Sequence, residues 1–261
     1  MTPAEFYTNG VKKKYEFYYP AWLPNTRFEL GDIGELQGSS FRRLRNLKDM
    51  GIKFDVLPDP KSSNLDLISG DGASITFKAA GQTSDKLPNV PAVEAGVAVE
   101  FGREGAFVIQ ASEVHQPSIA DVVQLQNDIL AAFKRGEWQV GWKVIVRLSQ
   151  TANALILVSQ SSSGRVEMAA SGNVPVGPFN LTDASIKLAV AHYSGDIVRV
   201  DRGEAVTPIF QLAGIHWKWW PFKREGRLEK AITDSPAVDL TPELARSDPR
   251  VADALYLDLV R

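Results

Sequence analysis

Residues 142–171 read WKVIVRLSQTANALILVSQSSSGRVEMAAS. Trp142, Val144, Val146 and Leu148 alternate with Lys143, Ile145 and Arg147, the period-two pattern of a strand with one buried face. Ala154 to Val158 is aliphatic throughout, which suits a strand buried on both faces. Arg165 to Ser171 places Val166, Met168 and Ala170 on one side. Thr151 to Asn153 reads as a turn, and Ser159 to Gly164 is polar and turn-like. Parallel neighbours need a crossover of a dozen or more residues, so connections this short predict antiparallel pairing.

The same alternation recurs on both sides. Val93, Ala95, Val97, Val99 and Phe101 form one face of a strand. Gly102-Arg103-Glu104-Gly105 reads as a hairpin turn into Ala106 to Ser112. Ala73 to Ala79, Ile186 to Tyr193, Ile197 to Val200 and Val206 to Trp219 supply further strands. Ile119 to Arg135 carries a helical apolar stripe, with Ser118 as cap and Asp121 at the capping-box position. Phe41 to Met50, apolar at every third residue, fits a helix and fits a strand nearly as well. Val251 to Val260 reads as a terminal helix capped by Asp248. Residues 1–27 form an aromatic-rich arm interrupted by Pro20 and Pro24. The expected class is α+β: a mainly antiparallel twisted sheet with a few packed helices and a short C-terminal helix. Residues 1–232 would be one domain, and 233–261 a Pro-rich linker and helical tail.

The chain has 261 residues, 44% hydrophobic and 23% charged, with a formal net charge of -2. It contains no cysteine, which removes disulfides, thiolate metal sites and cysteine nucleophiles together. The charge balance gives no counterion-release drive toward nucleic acid, so no nucleic-acid partner is expected. Met1 to Lys14 lacks the apolar core of a signal peptide, and no aliphatic run approaches the ~20 residues of a spanning helix. A cytoplasmic location is the expectation.

Motifs that would name a chemistry are missing. There are three histidines, His115, His192 and His216, with no H-E-x-x-H pair. No G-x-S-x-G elbow and no phosphate loop occur. Glu94 and Glu100 share a strand face but stand roughly 20 Å apart, too far for a catalytic pair. No catalytic residue, metal ligand or cofactor is assigned. Two segments remain. Arg42, Arg43, Arg45 and Lys48 form a basic patch suited to phosphate or anionic headgroups, or else a solvated face. Trp217, Lys218, Trp219, Trp220, Phe222, Lys223 and Arg224 interleave aromatic rings with cations, as at a membrane–water interface or a partner-binding surface. The alternative is that Trp217 and Trp219 simply plug the core.

The helix at Ile119 to Arg135 is followed by strands Trp142 to Leu148 and Ala154 to Ser159, joined by Ser-Gln-Thr-Ala-Asn, and then by Arg165 to Ala170. A late strand, Val206 to Leu212, enters an exposed segment, and a polar linker precedes a terminal helix. This order resembles the bacterial gasdermin-like pore-forming proteins. It departs from them in lacking the lipidated cysteine that bacterial members often carry near the N-terminus. The resemblance implies a twisted antiparallel sheet whose strands rearrange into a membrane barrel. It also implies a protease that cuts the linker and releases an inhibitory C-terminal helix. The expected function is therefore a non-enzymatic, pore-forming-like bacterial effector kept soluble by its tail, with a lipid membrane and a protease as partners. Two alternatives stand beside it: a protein-binding or scaffold module, and a carboxylate-dependent enzyme acting on a sugar or small metabolite.

Overall fold

The computed structural model describes residues 2–200, 205–217 and 255–260, with the side chain of Trp217 left aside. The chain opens with helix α1 (Pro3–Lys14). It continues through β1 (Tyr18–Pro20), β2 (Asp32–Gln37), β3 (Ser40–Asn46), one 3-10 turn (Leu47–Met50), β4 (Val56–Leu57), β5 (Ser63–Ile68), β6 (Ala73–Lys78), β7 (Ala95–Phe101), β8 (Phe107–Val114) and β9 (Ser118–Ile119). Helix α2 (Val122–Lys134) precedes β10 (Lys143–Leu148), β11 (Asn153–Ser159), β12 (Gly164–Gly172), β13 (Ile186–Ser194), β14 (Ile197–Val200), β15 (Ile209–Trp217) and β16 (Leu255–Leu259).

The strands form three antiparallel sheets. The outer sheet has the order β13-β12-β7-β6 and the middle sheet β14-β11-β8-β5. The basal sheet has the order β1-β15-β10-β2-β3, with β9 on β10, β4 on β9 and β16 on β15. The neighbours β15-β10-β9-β4 of the basal sheet repeat the order of the other two. Bridges His115↔Gln150 and Thr151↔Val206 join the basal sheet to the middle one. Followed along the chain, β4-β5-β6, β7-β8-β9, β10-β11-β12 and β13-β14-β15 are four long lines, each passing through all three sheets. The architecture is one four-stranded antiparallel meander, bent twice. Residues 79–94, the α2 region and residues 173–185 connect successive lines.

This is a mainly-β fold and corrects the α+β expectation. Among the described residues there are two α-helices. Phe41–Met50 is not a helix: Arg42 and Phe41 pair with Glu35 and Leu36, making β3 an edge strand that ends in the 3-10 turn. Helix α2 starts later than the apolar stripe suggests, because Asp121 rather than Ser118 is its cap, accepting from Gln124 N at 2.8 Å. At the C-terminus, Leu255 and Leu257 are buried while Asp258 is exposed. That alternation, together with the open edge of β15, makes Leu255–Leu259 a strand where a helix was expected. The N-terminal arm contains a full helix, α1, closed by a reciprocal Thr2–Glu5 capping box.

Candidate functional site: a sheet folded in half

The strands on either side of Gly102–Gly105 do not pair with each other, so this segment is not a hairpin turn. Strand β7 belongs to the outer sheet and β8 to the middle sheet. The same holds for β5 and β6, β11 and β12, and β13 and β14. The linking segments are corners, where all four lines fold back at one level. Gly72, Gly105 and Gly195 hold φ values of +93°, +75° and +82° there, a region that glycine enters without steric cost. At Gly105 the space is also closed: a Cβ would lie 2.6 Å from Phe6 Cβ and 2.7 Å from Pro3 O.

In the first three lines the corner changes the face a line presents. In β7, Val97, Val99 and Phe101 point into the core between the outer and middle sheets. In β8, Phe107, Ile109 and Ala111 point the opposite way, into the core under α1 with Tyr7 and Val11. All six are odd-numbered, so in an unbroken strand they would share one face. The first and third lines obey the same rule. Ile75 and Phe77 lie in the first core, and Leu65 and Leu67 in the second. Val166, Met168 and Ala170 are matched by Ala154, Ile156 and Val158. In the fourth line Ile186 and Leu188 face the first core and Val198 and Val200 the second, but a bulge between Val190 and His192 shifts the phase, leaving Tyr193 opposite Val166.

The cross-strand rows agree. In the outer sheet Phe77, Val97, Met168 and Val190 lie side by side, and in the middle sheet Leu67, Ile109, Ile156 and Val200 do so. Between the second and third lines the register is identical on both sides of the corner, from Ser112↔Asn153 through Ile109↔Ile156 to Ala95↔Ala170. These two lines would straighten without re-pairing.

The opposite face of the outer sheet is polar. Its rows read Ser74, Glu100, Arg165, Ser194 and Thr76, Ala98, Glu167, His192. Arg165 bridges Glu100 and Glu167, the latter at 2.8 Å. Burial alone would push the Glu167 carboxyl up, but hydrogen bonds from Arg165 and Asn89, with the Arg165 charge, outweigh it and hold the carboxyl below the usual range.

The residues singled out from sequence fare differently. Arg42, Arg43 and Arg45 lie on β3, and Lys48 lies in the 3-10 turn after it. Arg42 pairs with Glu35 at 3.2 Å, and Arg43 with the buried Asp32 at 2.7 Å. Arg45 donates to Asp49 O, and Lys48 sits 6.0 Å from the Phe54 ring. Trp217 ends β15 opposite Leu255. Lys218, Trp219, Trp220, Phe222, Lys223 and Arg224 lie outside the described residues, as does the linker from Thr233 to Arg250. His192 is an exposed residue of an edge strand.

An open cleft of about 690 Å³ is lined by Arg27, Glu29, Glu113, His115, Thr151 and Asn153, among others. The two buried carboxylates among the described residues, Asp32 and Glu167, lie in different sheets, and each is bound to an arginine. No protein-family model matches the chain, and no curated protein matches it.

The corners went unseen in the sequence because glycine-rich polar segments between alternating runs look like hairpin turns. The available signal was phase: the odd-numbered apolar pattern of 95–101 resumes, still odd, at 107–111, as it would in one continuous strand.

Proposed function

We propose that this is a non-enzymatic, membrane-acting protein of the pore-forming kind, held in a soluble form by its C-terminal tail. One observation carries the reading: three neighbouring lines share a single latent apolar face that the corners divide between two buried cores. A barrel strand crosses a bilayer with ~9–11 residues that alternate apolar toward lipid and polar toward water. The outer-sheet strands run six to nine residues before their corners. Their polar rows, with Ser74, Thr76, Glu100, Arg165 and Glu167, are suited to a wet lumen. The pairs β6–β7 and β12–β13, closed by residues 79–94 and 173–185, would be the inserting hairpins. A twisted antiparallel sheet is also what the resemblance to gasdermin pore-forming domains implies.

Strand β16 gives the tail a place in this account. It pairs along β15 and buries Leu255, Leu257 and Val260 in the basal core. Leu257 N also donates to Gln126 Oε1 of α2. Cleavage upstream would leave this short strand held non-covalently, free to depart. The partners are then a protease and a lipid membrane, with the cytoplasm as the site of the uncleaved form. The test is dye release from vesicles of phosphatidylcholine, with and without phosphatidylglycerol, after limited proteolysis between Thr233 and Arg250. Leakage dependent on cleavage is expected; no leakage at any composition overturns the proposal.

A second reading rests on β13. This nine-residue strand has no neighbour on its outer side among the described residues, and Val190 and Tyr193 are 39% and 59% exposed. Such an edge can accept a strand from a partner protein. Capture of a partner that persists when Val190 and Tyr193 are intact and is lost on Val190→Lys, without any vesicle leakage, would favour it.

A further inference from the structure

Residues 79–94 do more than join β6 to β7. They fold back over the polar face of the outer sheet. Leu87 and Val90 are buried there against Ala98. Gly96 makes the seat: a Cβ on it would lie 2.8 Å from Val90 Cγ1 and 3.0 Å from Leu87 Cδ2. Two buried charges hold the segment down. Lys78 is 3% exposed, and its Nζ donates to the carbonyls of Val90 at 2.9 Å and Pro91 at 2.7 Å. Glu167 is 1% exposed and accepts from Asn89 N at 3.1 Å and Asn89 Nδ2 at 3.2 Å. Arg165, already bound to Glu100 and Glu167, also donates to the carbonyl of Lys86.

Burying an ion is costly, and a loop needed only to reverse the chain requires none. Here a cation and an anion from two different strands both aim at one loop. The apolar part of the contact is small. If this face came to line water, both charges would regain hydration, so opening the contact recovers much of what closing it costs.

We propose that residues 79–94 are a releasable strap, clasped by Lys78 and Glu167, that keeps the first hairpin folded by covering the face that must become water-lined. The inference rests on the pore-forming reading, and its test separates the two. Hydrogen exchange on full-length Lys78→Met and Glu167→Gln reports the strap without any membrane. The Asn89 amide should exchange at least tenfold faster, with the Val108 and Ile156 amides unchanged. No change at Asn89, or an equal rise at all three, overturns the strap. In the cysteine-free background, Val90→Cys combined with Gly96→Cys allows the strap to be locked by oxidation. After linker cleavage, vesicles of phosphatidylcholine and phosphatidylglycerol should stay intact with the oxidised protein and leak once it is reduced. Equal leakage in both states overturns the strap. Failure of the native protein to leak counts against the pore alone, and the exchange result still decides the strap.

Discussion

Gly105 donates its backbone N–H to the carbonyl of Ser159 at 2.7 Å, across the corner where the second and third lines fold over together. Ser159 N returns a bond to Ala106 O at 2.9 Å. The two corners are therefore paired with each other, and the fold is a property of the sheet rather than of one strand.

Gly105→Val is accordingly expected to destabilise the fold. Its φ of +75° is strained for a branched residue, and the new Cβ would strike Phe6 and the Pro3 carbonyl. Strain of ~1–2 kcal/mol and overpacking of ~1–3 kcal/mol together predict a loss of at least about 2 kcal/mol. Urea unfolding measures it. Gly38→Val, whose Cβ would meet nothing within 4 Å, carries the strain of φ +60° without the collision and should cost less.

Tyr7 offers a contrast within one side chain. It is fully buried, packs edge-on against Phe107 at 5.1 Å, and its hydroxyl has no hydrogen-bond partner among the described residues. Burial pushes its phenol well above the ordinary tyrosine value. Tyr7→Phe removes an unsatisfied group and should be neutral or stabilising by about 1 kcal/mol. Tyr7→Ala should cost about 3–5 kcal/mol. It should also uncover the Leu67–Ile109–Ile156–Val200 row, read as increased binding of an apolar dye.

The docking of β16 should weaken in acid. His216 lies opposite Tyr256, near Lys143 and Asp258. Burial lowers its proton affinity, the Lys143 charge lowers it further, and Asp258 opposes both. A histidine that prefers to be neutral when docked leaves docking undisturbed above its ordinary pKa of ~6.5. As pH falls from there through its lower docked value, protonation favours the undocked strand. Protection of the Leu257 amide should drop severalfold between about pH 7.5 and about pH 5. His216→Phe should remove that drop.

The sheet was legible in the sequence because alternation at 95–101, 142–148 and 165–171 is a local property. Long-range facts were not. That Lys78 and Glu167 are buried follows from a loop folding onto them, which no pattern within β6 or β12 announces. Leu255–Leu259 looked helical because the edge it completes lies some forty residues away. Arg43 looked like part of a free cationic face because its partner, Asp32, is on another strand.

The account stands on the claim that lines folded at their corners can straighten. A spin label at each of Ser62→Cys and Gln82→Cys reads this on the first line, since both sites are exposed and the chain has no other cysteine. Straightened at ~3.3 Å per residue, they would stand roughly 60 Å apart. Electron–electron double resonance should give a short distance in solution and add the long one only after cleavage in the presence of vesicles. Leakage accompanied by an unchanged short distance would contradict the claim.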